Sequence, residues 1–118
     1  MARLRISAAA QADIVNILAW TTQRFGIAAQ DRYERLLSTA LVALLTSPDR
    51  IGSAVRPELG DGVRSYHLRH SRADSGVARP RHLILYRIGD AGTVEVGRVL
   101  HDAMELERHA QFDFPPEP

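Results

Sequence analysis

Hydrophobic positions in this chain alternate between a two-residue period and a helical one, and each switch marks an element boundary. Arg3-Leu4-Arg5-Ile6-Ser7 alternates as a half-buried strand does, with Leu4 and Ile6 facing in. Ser7 then stands where an N-cap hydroxyl accepts from an early helical N–H that would otherwise lack a partner. Over residues 8–25, Ala10, Ile14, Ile17, Leu18 and Phe25 fall on one helical stripe, and Gly26 follows where a helix commonly stops. Residues 27–46 repeat the helical period. Tyr33, Leu37, Ala40, Leu41 and Leu44 face inward, and Leu36, Val42 and Leu45 broaden the stripe. A link this short around Gly26 makes the two helices an antiparallel hairpin. Ser47-Pro48-Asp49 ends the second helix, because proline has no N–H to continue the ladder.

Residues 47–62, punctuated by Pro48, Pro57, Gly52, Gly60 and Gly62, read as a surface connection. Strand chemistry returns over residues 63–69. Residues 70–80, HSRADSGVARP, are small, polar and basic, and are expected to form an extended, mobile loop. Residues 81–88 and 93–100 form a hairpin across Gly89-Asp90-Ala91-Gly92, and a short terminal helix is predicted from His101 to Arg108. The order β-α-α-β-β-β-α implies an α+β fold: a helical hairpin packed on a small, mainly antiparallel four-stranded sheet. It forms one domain over residues 1–110, with a disordered, proline-rich tail at 111–118. With Ile88 opposite Thr93, one sheet face carries Leu83, Leu85, Val94, Val96 and Leu100, and is the face expected under the helices. The other face carries Ile84, Tyr86, Glu95, Gly97 and Val99, and is expected to remain uncovered.

Composition narrows the class. The 118 residues suffice for one core, and 45% hydrophobic with 25% charged residues fits a globular protein. No apolar run approaches the roughly 20 residues needed to cross a bilayer, and no signal pattern opens the chain, so a cytoplasmic protein without a membrane role is expected. Cysteine is absent, which excludes disulfides and thiolate chemistry. All fifteen basic residues are arginine. Residues 63–100 hold seven arginines against three acids, whereas residues 101–118 hold one against five. The middle of the chain is therefore a basic surface, and arginine's planar fork suits carboxylates and phosphates.

The β-α-α-β-β-β order resembles the RelE/ParE superfamily of toxins from type II toxin–antitoxin systems. The ParE branch is matched by the run Ala12-Asp13-Ile14, Ile17, Trp20 and Arg24-Phe25-Gly26, then by Asp31-Arg32-Tyr33 in the second helix. Ser47-Pro48, Gly62-Val63-Arg64-Ser65, the run from Arg81 to Arg87, and the run from Val96 to Leu106 continue the match in order. The long 70–80 loop departs from the branch's shorter connection. The resemblance implies a growth-inhibiting toxin that a ParD-like antitoxin neutralises and that binds DNA gyrase. It also implies a binding toxin rather than an enzyme, with no cofactor.

The related RelE branch cleaves mRNA, which needs acid–base groups and cations at the phosphate. Arg87, Arg98 and His101 are the residues that would serve such an alternative. For a binding toxin, Arg98, His101, Asp102 and Met104 are the expected target contacts. Trp20 is either an edge-of-core aromatic or a partner's anchor. With Tyr33, and with Tyr66, Ile84 and Tyr86 on the uncovered face, it forms the expected antitoxin contact. His101, Glu105 and His109 share a helical face, but a short terminal helix frames a metal poorly, so no metal site is expected. The basic stretch from Arg64 to His82 has few interleaved aromatics. It suits an acidic partner segment better than direct nucleic-acid binding.

Overall fold

A computed structural model describes residues 3–104 and 106. The elements are β1 (Leu4–Ile6), α1 (Ala8–Phe25), α2 (Ile27–Thr46), β2 (Ser53–Val55), β3 (Arg64–His67), β4 (His82–Ile88) and β5 (Val94–His101), with short 3-10 turns between them. Ser7 caps α1 as its hydroxyl pattern requires, accepting from the Ala10 N–H. Gly26 alone joins the two helices. Its φ of 91° and ψ of 174° lie in a region that side chains disfavour, so the reversal needs glycine.

The sheet order is β1-β5-β4-β3-β2. β1 lies parallel to β5, and every other pairing is antiparallel. The sheet thus has five strands, not four: residues 53–55 pair with β3 inside what reads as a plain connection. Both helices cover one face. Leu36, Ala40 and Leu44 of α2 are fully buried there against Tyr66, Ile84, Tyr86, Val94, Val96 and Val99. At about 1.5–3 kcal/mol for each buried large apolar side chain, this face supplies most of the stabilisation. Phe25 and Val42, expected on the inner stripes, are instead exposed.

Val94 and Val96 lie under the helices as expected, but the β4 side chains and Val99 and Leu100 lie on the opposite faces from the sequence expectation. Ile88 pairs with Val94, not Thr93, because Thr93 still belongs to the turn and its N–H bonds back to the Asp90 carbonyl. A register change of one residue turns every β4 side chain over relative to β5. Ile84 and Tyr86 therefore lie beneath the helices with Val94 and Val96. Leu83, Leu85 and Leu100 form a second, smaller cluster with Leu59 and Val63 on the opposite face. A bulge follows in β5, where Tyr86 opposes Val96 but Leu85 opposes Arg98. The additional residue, Gly97, returns Val99 to the helix-covered face.

The 70–80 segment is folded back rather than extended. The Ser75 N–H bonds the Arg72 carbonyl, the Arg72 guanidinium bonds the Ala78 carbonyl, and Val77 packs on the main core. At the other end, His101 closes β5 and Asp102-Ala103 turn, so the predicted terminal helix does not begin at His101. Glu105 and residues 107–118, which take in the rest of that helix and the 111–118 tail, lie outside the described residues. No helix among the described residues is long and apolar enough to cross a membrane.

Candidate functional site

The distal half of β5 is held by α1. β1 ends at Ile6, opposite Val96, so β5 loses its neighbour from Gly97 onwards. Asp13, one turn into α1, replaces that neighbour. Its carboxylate accepts from Arg98 Nε at 2.7 Å, from Arg98 Nη2 at 2.9 Å and from the Val99 N–H at 3.0 Å. Ser7 adds a second tie, its hydroxyl donating to the Gly97 carbonyl at 2.7 Å. A forked pair with both groups partly buried is a rigid clamp. Its effect is to fix where the end of β5 points.

At that end, polar rings gather on the sheet. Tyr33 of α2 sits with its hydroxyl 2.6 Å from His82 Nδ1, and the Arg81 N–H donates to the same oxygen at 3.4 Å. The Tyr33 hydroxyl and His82 Nδ1 share one hydrogen bond, and which of the two donates depends on the His82 tautomer. Burial pushes the Tyr33 hydroxyl up to about 12. Burial, helped by the neighbouring His101, pulls His82 down to about 4, so both groups are neutral at pH 7. His101 meets His82 edge to face at 5.3 Å. Below them Asp102 accepts from Arg81 and from His67 Nε2, the latter at 2.9 Å. The Arg81 hydrogen bond does most to hold the Asp102 carboxyl at about 2. The strand end is thus cross-linked by charge and ring contacts to β3 and α2.

Beside this cluster opens a cavity of about 560 Å3 between α1, α2 and the folded-back 70–80 segment. Trp20 stands at it half-exposed, with Phe25 edge-on at 5.8 Å and the Arg24 guanidinium over its ring at 5.5 Å. Tyr33, His82 and His101 line the same cavity.

Of the residues expected to meet a partner, the structure brings Trp20 and Tyr33 to this one cavity. It does not bring Tyr66, Ile84 and Tyr86 there. Each is 0% exposed in the core beneath the helices, a direct result of the register difference. The expectation of an open sheet face carrying those three residues is therefore corrected. Nor do the residues of the nuclease alternative converge. Arg87 points to the second sheet face, where its Nε meets Glu95 Oε1 at 2.6 Å and Glu95 is only 1% exposed. Arg98 is in the Asp13 clamp. His101 pairs with His82, five residues along β4 from Arg87, or about 17 Å at the usual strand rise. Met104 is exposed beyond the strand end. Glu105 and His109 of the possible zinc trio lie outside the described residues. Among the described residues no group of three or more His, Asp or Glu side chains is placed to hold a metal ion. Asp13 and Val77 carry no signal as site residues in the sequence, because both act through contacts far along the chain.

Comparison with known proteins places the chain in a family. The family model described as the ParE toxin of the parDE type II toxin–antitoxin system matches residues 4–106. Toxin ParE1 of Mycobacterium tuberculosis is 32% identical over 107 residues, covering 91% of this chain and 96% of the relative. Toxin ParE1 of Caulobacter vibrioides is 29% identical over 105 residues, covering 89% and 94%. The match runs from β1 through the end of β5, so it takes in the clamp, the ring cluster and the cavity together, and the chain belongs to the ParE family of type II toxins.

Proposed function

We propose that the protein is a cytoplasmic toxin held inactive by a ParD-like antitoxin, and that once freed it arrests growth by binding DNA gyrase. The observation that carries the choice of binding over RNA cleavage is the dispersal of the cations. Two of the three groups a nuclease would use are neutralised by carboxylates, Arg87 by Glu95 and Arg98 by Asp13. The third, His101, stands at the opposite end of the strand pair from Arg87. Phosphate cleavage needs its acid, base and cation within hydrogen-bond reach of one phosphate. Arg98 and Asp102 then serve as supports that aim the strand end, while His101 and Met104 are the groups presented to the target. The antitoxin covers Trp20 and the cavity beside Tyr33.

The test is a supercoiling assay with purified gyrase. Free toxin is expected to inhibit, and an equimolar ParD-like antitoxin from the adjoining reading frame is expected to restore activity. Normal supercoiling at toxin concentrations that arrest cells would dismiss gyrase as the target.

A further inference from the structure

We propose that the 70–80 segment builds a receiving pocket for one acidic, apolar-anchored stretch of the antitoxin, and that Arg32 and Arg79 select the cognate partner there. The inference rests on the antitoxin reading above and adds where, and by what chemistry, the partner is read.

The pocket is a made structure. Gly76 lies so close over α2 that an added Cβ would meet Arg32 Cδ at 2.7 Å, so the segment seats on the Arg32 side chain. Val77 is pinned by its own N–H on the Ser75 hydroxyl and by packing on the core, and Pro80 beyond it is buried. One wall of the cavity is therefore this segment, and the facing wall is α1 with Ile17 and Trp20. At about 560 Å3 the space lies within the range that holds a bulky side chain and its neighbours.

Charge identifies the occupant. Arg32, Arg79 and Arg81 all line the cavity, and among the described residues no Asp or Glu does. Asp102 engages Arg81. Among the described residues, no carboxylate meets Arg32 or Arg79. Apolar and aromatic walls with two uncommitted guanidinium groups fit a Leu or Phe side chain flanked by carboxylates. A nucleic acid would need a basic track continuing beyond the pocket and exposed faces for successive bases to stack on. The exposed aromatic rings here, Trp20 and Phe25, pack edge to face on each other, and Arg24 already covers the Trp20 face. An acidic peptide segment that orders on binding gains both the burial and the charge complementarity.

The experiment measures the affinity of full-length toxin for full-length antitoxin across salt concentrations. The variants are Arg79→Ala, Arg32→Ala with Arg79→Ala, and Arg35→Ala as an equal charge change elsewhere on α2. The double variant is expected to bind on the order of 10- to 100-fold more weakly, with a shallower salt dependence, and Arg79→Ala about 10-fold more weakly. Arg35→Ala should stay within about twofold. Arg79 is exposed, so its single variant reports even if Arg32→Ala disturbs folding. Unchanged affinity in both pocket variants, with wild-type binding intact, overturns the pocket and leaves the antitoxin reading standing. If wild-type toxin binds no antitoxin, both fall. A single-stranded oligonucleotide that binds wild type and is lost in the same variants would make the pocket a nucleic-acid site. Self-association of the toxin abolished by Arg79→Ala would make it a contact between copies. Either result overturns the proposal.

Discussion

Asp13→Ala tests whether Arg98 is a structural clamp. The substitution removes three acceptor contacts at once, at 2.7, 2.9 and 3.0 Å. It leaves the Arg98 guanidinium without its carboxylate and the Val99 N–H without a strand or side-chain acceptor. A hydrogen bond to a charged group contributes about 1.5–3 kcal/mol, and an orphaned buried donor costs about 1–3 kcal/mol. The Arg98 side chain keeps 23% of its exposure and Asp13 keeps 14%, so water recovers part of the loss. The expected destabilisation is therefore about 2–4 kcal/mol. Asp13→Asn, which retains one acceptor, should lose about half as much. Urea denaturation followed by circular dichroism reads the effect as a midpoint shift on the order of 1–2 M with unchanged slope. Arg98→Met completes a double-mutant cycle, with an expected coupling of about 1–2 kcal/mol to Asp13. A loss below about 0.5 kcal/mol, or strict additivity of the two changes, would refute the clamp. Arg98 would then be available for the target or for phosphate.

Other expectations follow from the same geometry. Unfolded His82 takes a proton near pH 6.5 and folded His82 only near 4, so the unfolded state binds more protons between those values. Stability should therefore fall as pH drops through that window, by about 2–3 kcal/mol, and His82→Gln should flatten the slope; an equal slope in the variant counts against the buried neutral ring. Asp102 does not confuse this measurement, since its contribution is lost only as pH falls from 3.8 through about 2. Gly26→Ala meets no atom within 4 Å, so its expected loss of about 1–3 kcal/mol is backbone strain alone, and wild-type stability in that variant would contradict the strained link. Leu36→Ala should cost about 2–5 kcal/mol and exposed Val42→Ala less than about 0.5, a contrast that equal midpoints would erase.

Local physics made the helices legible. Ser7, the inner α2 positions Tyr33, Leu36, Leu37, Ala40 and Leu44, and Gly26 each carry their signal within a few residues and act as their residue types dictate, whereas Val42 at the edge of that stripe is exposed. What escaped was decided across distance. The Ser53–Val55 strand is too short to show an alternation of its own, and only pairing with β3 defines it. Thr93 could belong to strand or turn on propensity alone. Its N–H bond to Asp90 settles the matter and with it the faces of Ile84 and Tyr86. The bulge at Gly97 has no sequence mark beyond a glycine in an apolar run. The site was legible in part. Trp20 and Tyr33 do meet at one cavity, but Asp13 and Arg98 are 85 residues apart, and nothing local links them. Val77 sits in a segment whose composition reads as loop, and its packing on the core is a tertiary outcome.

The central claim is that this toxin acts by binding gyrase and not by cutting RNA. Expressing it in cells without antitoxin, and assaying plasmid topology and transcript ends from the same culture at the onset of arrest, addresses both halves together. The expected result is altered supercoiling or gyrase-dependent DNA breaks with intact transcripts. Normally supercoiled plasmid alongside newly cleaved mRNA would contradict it.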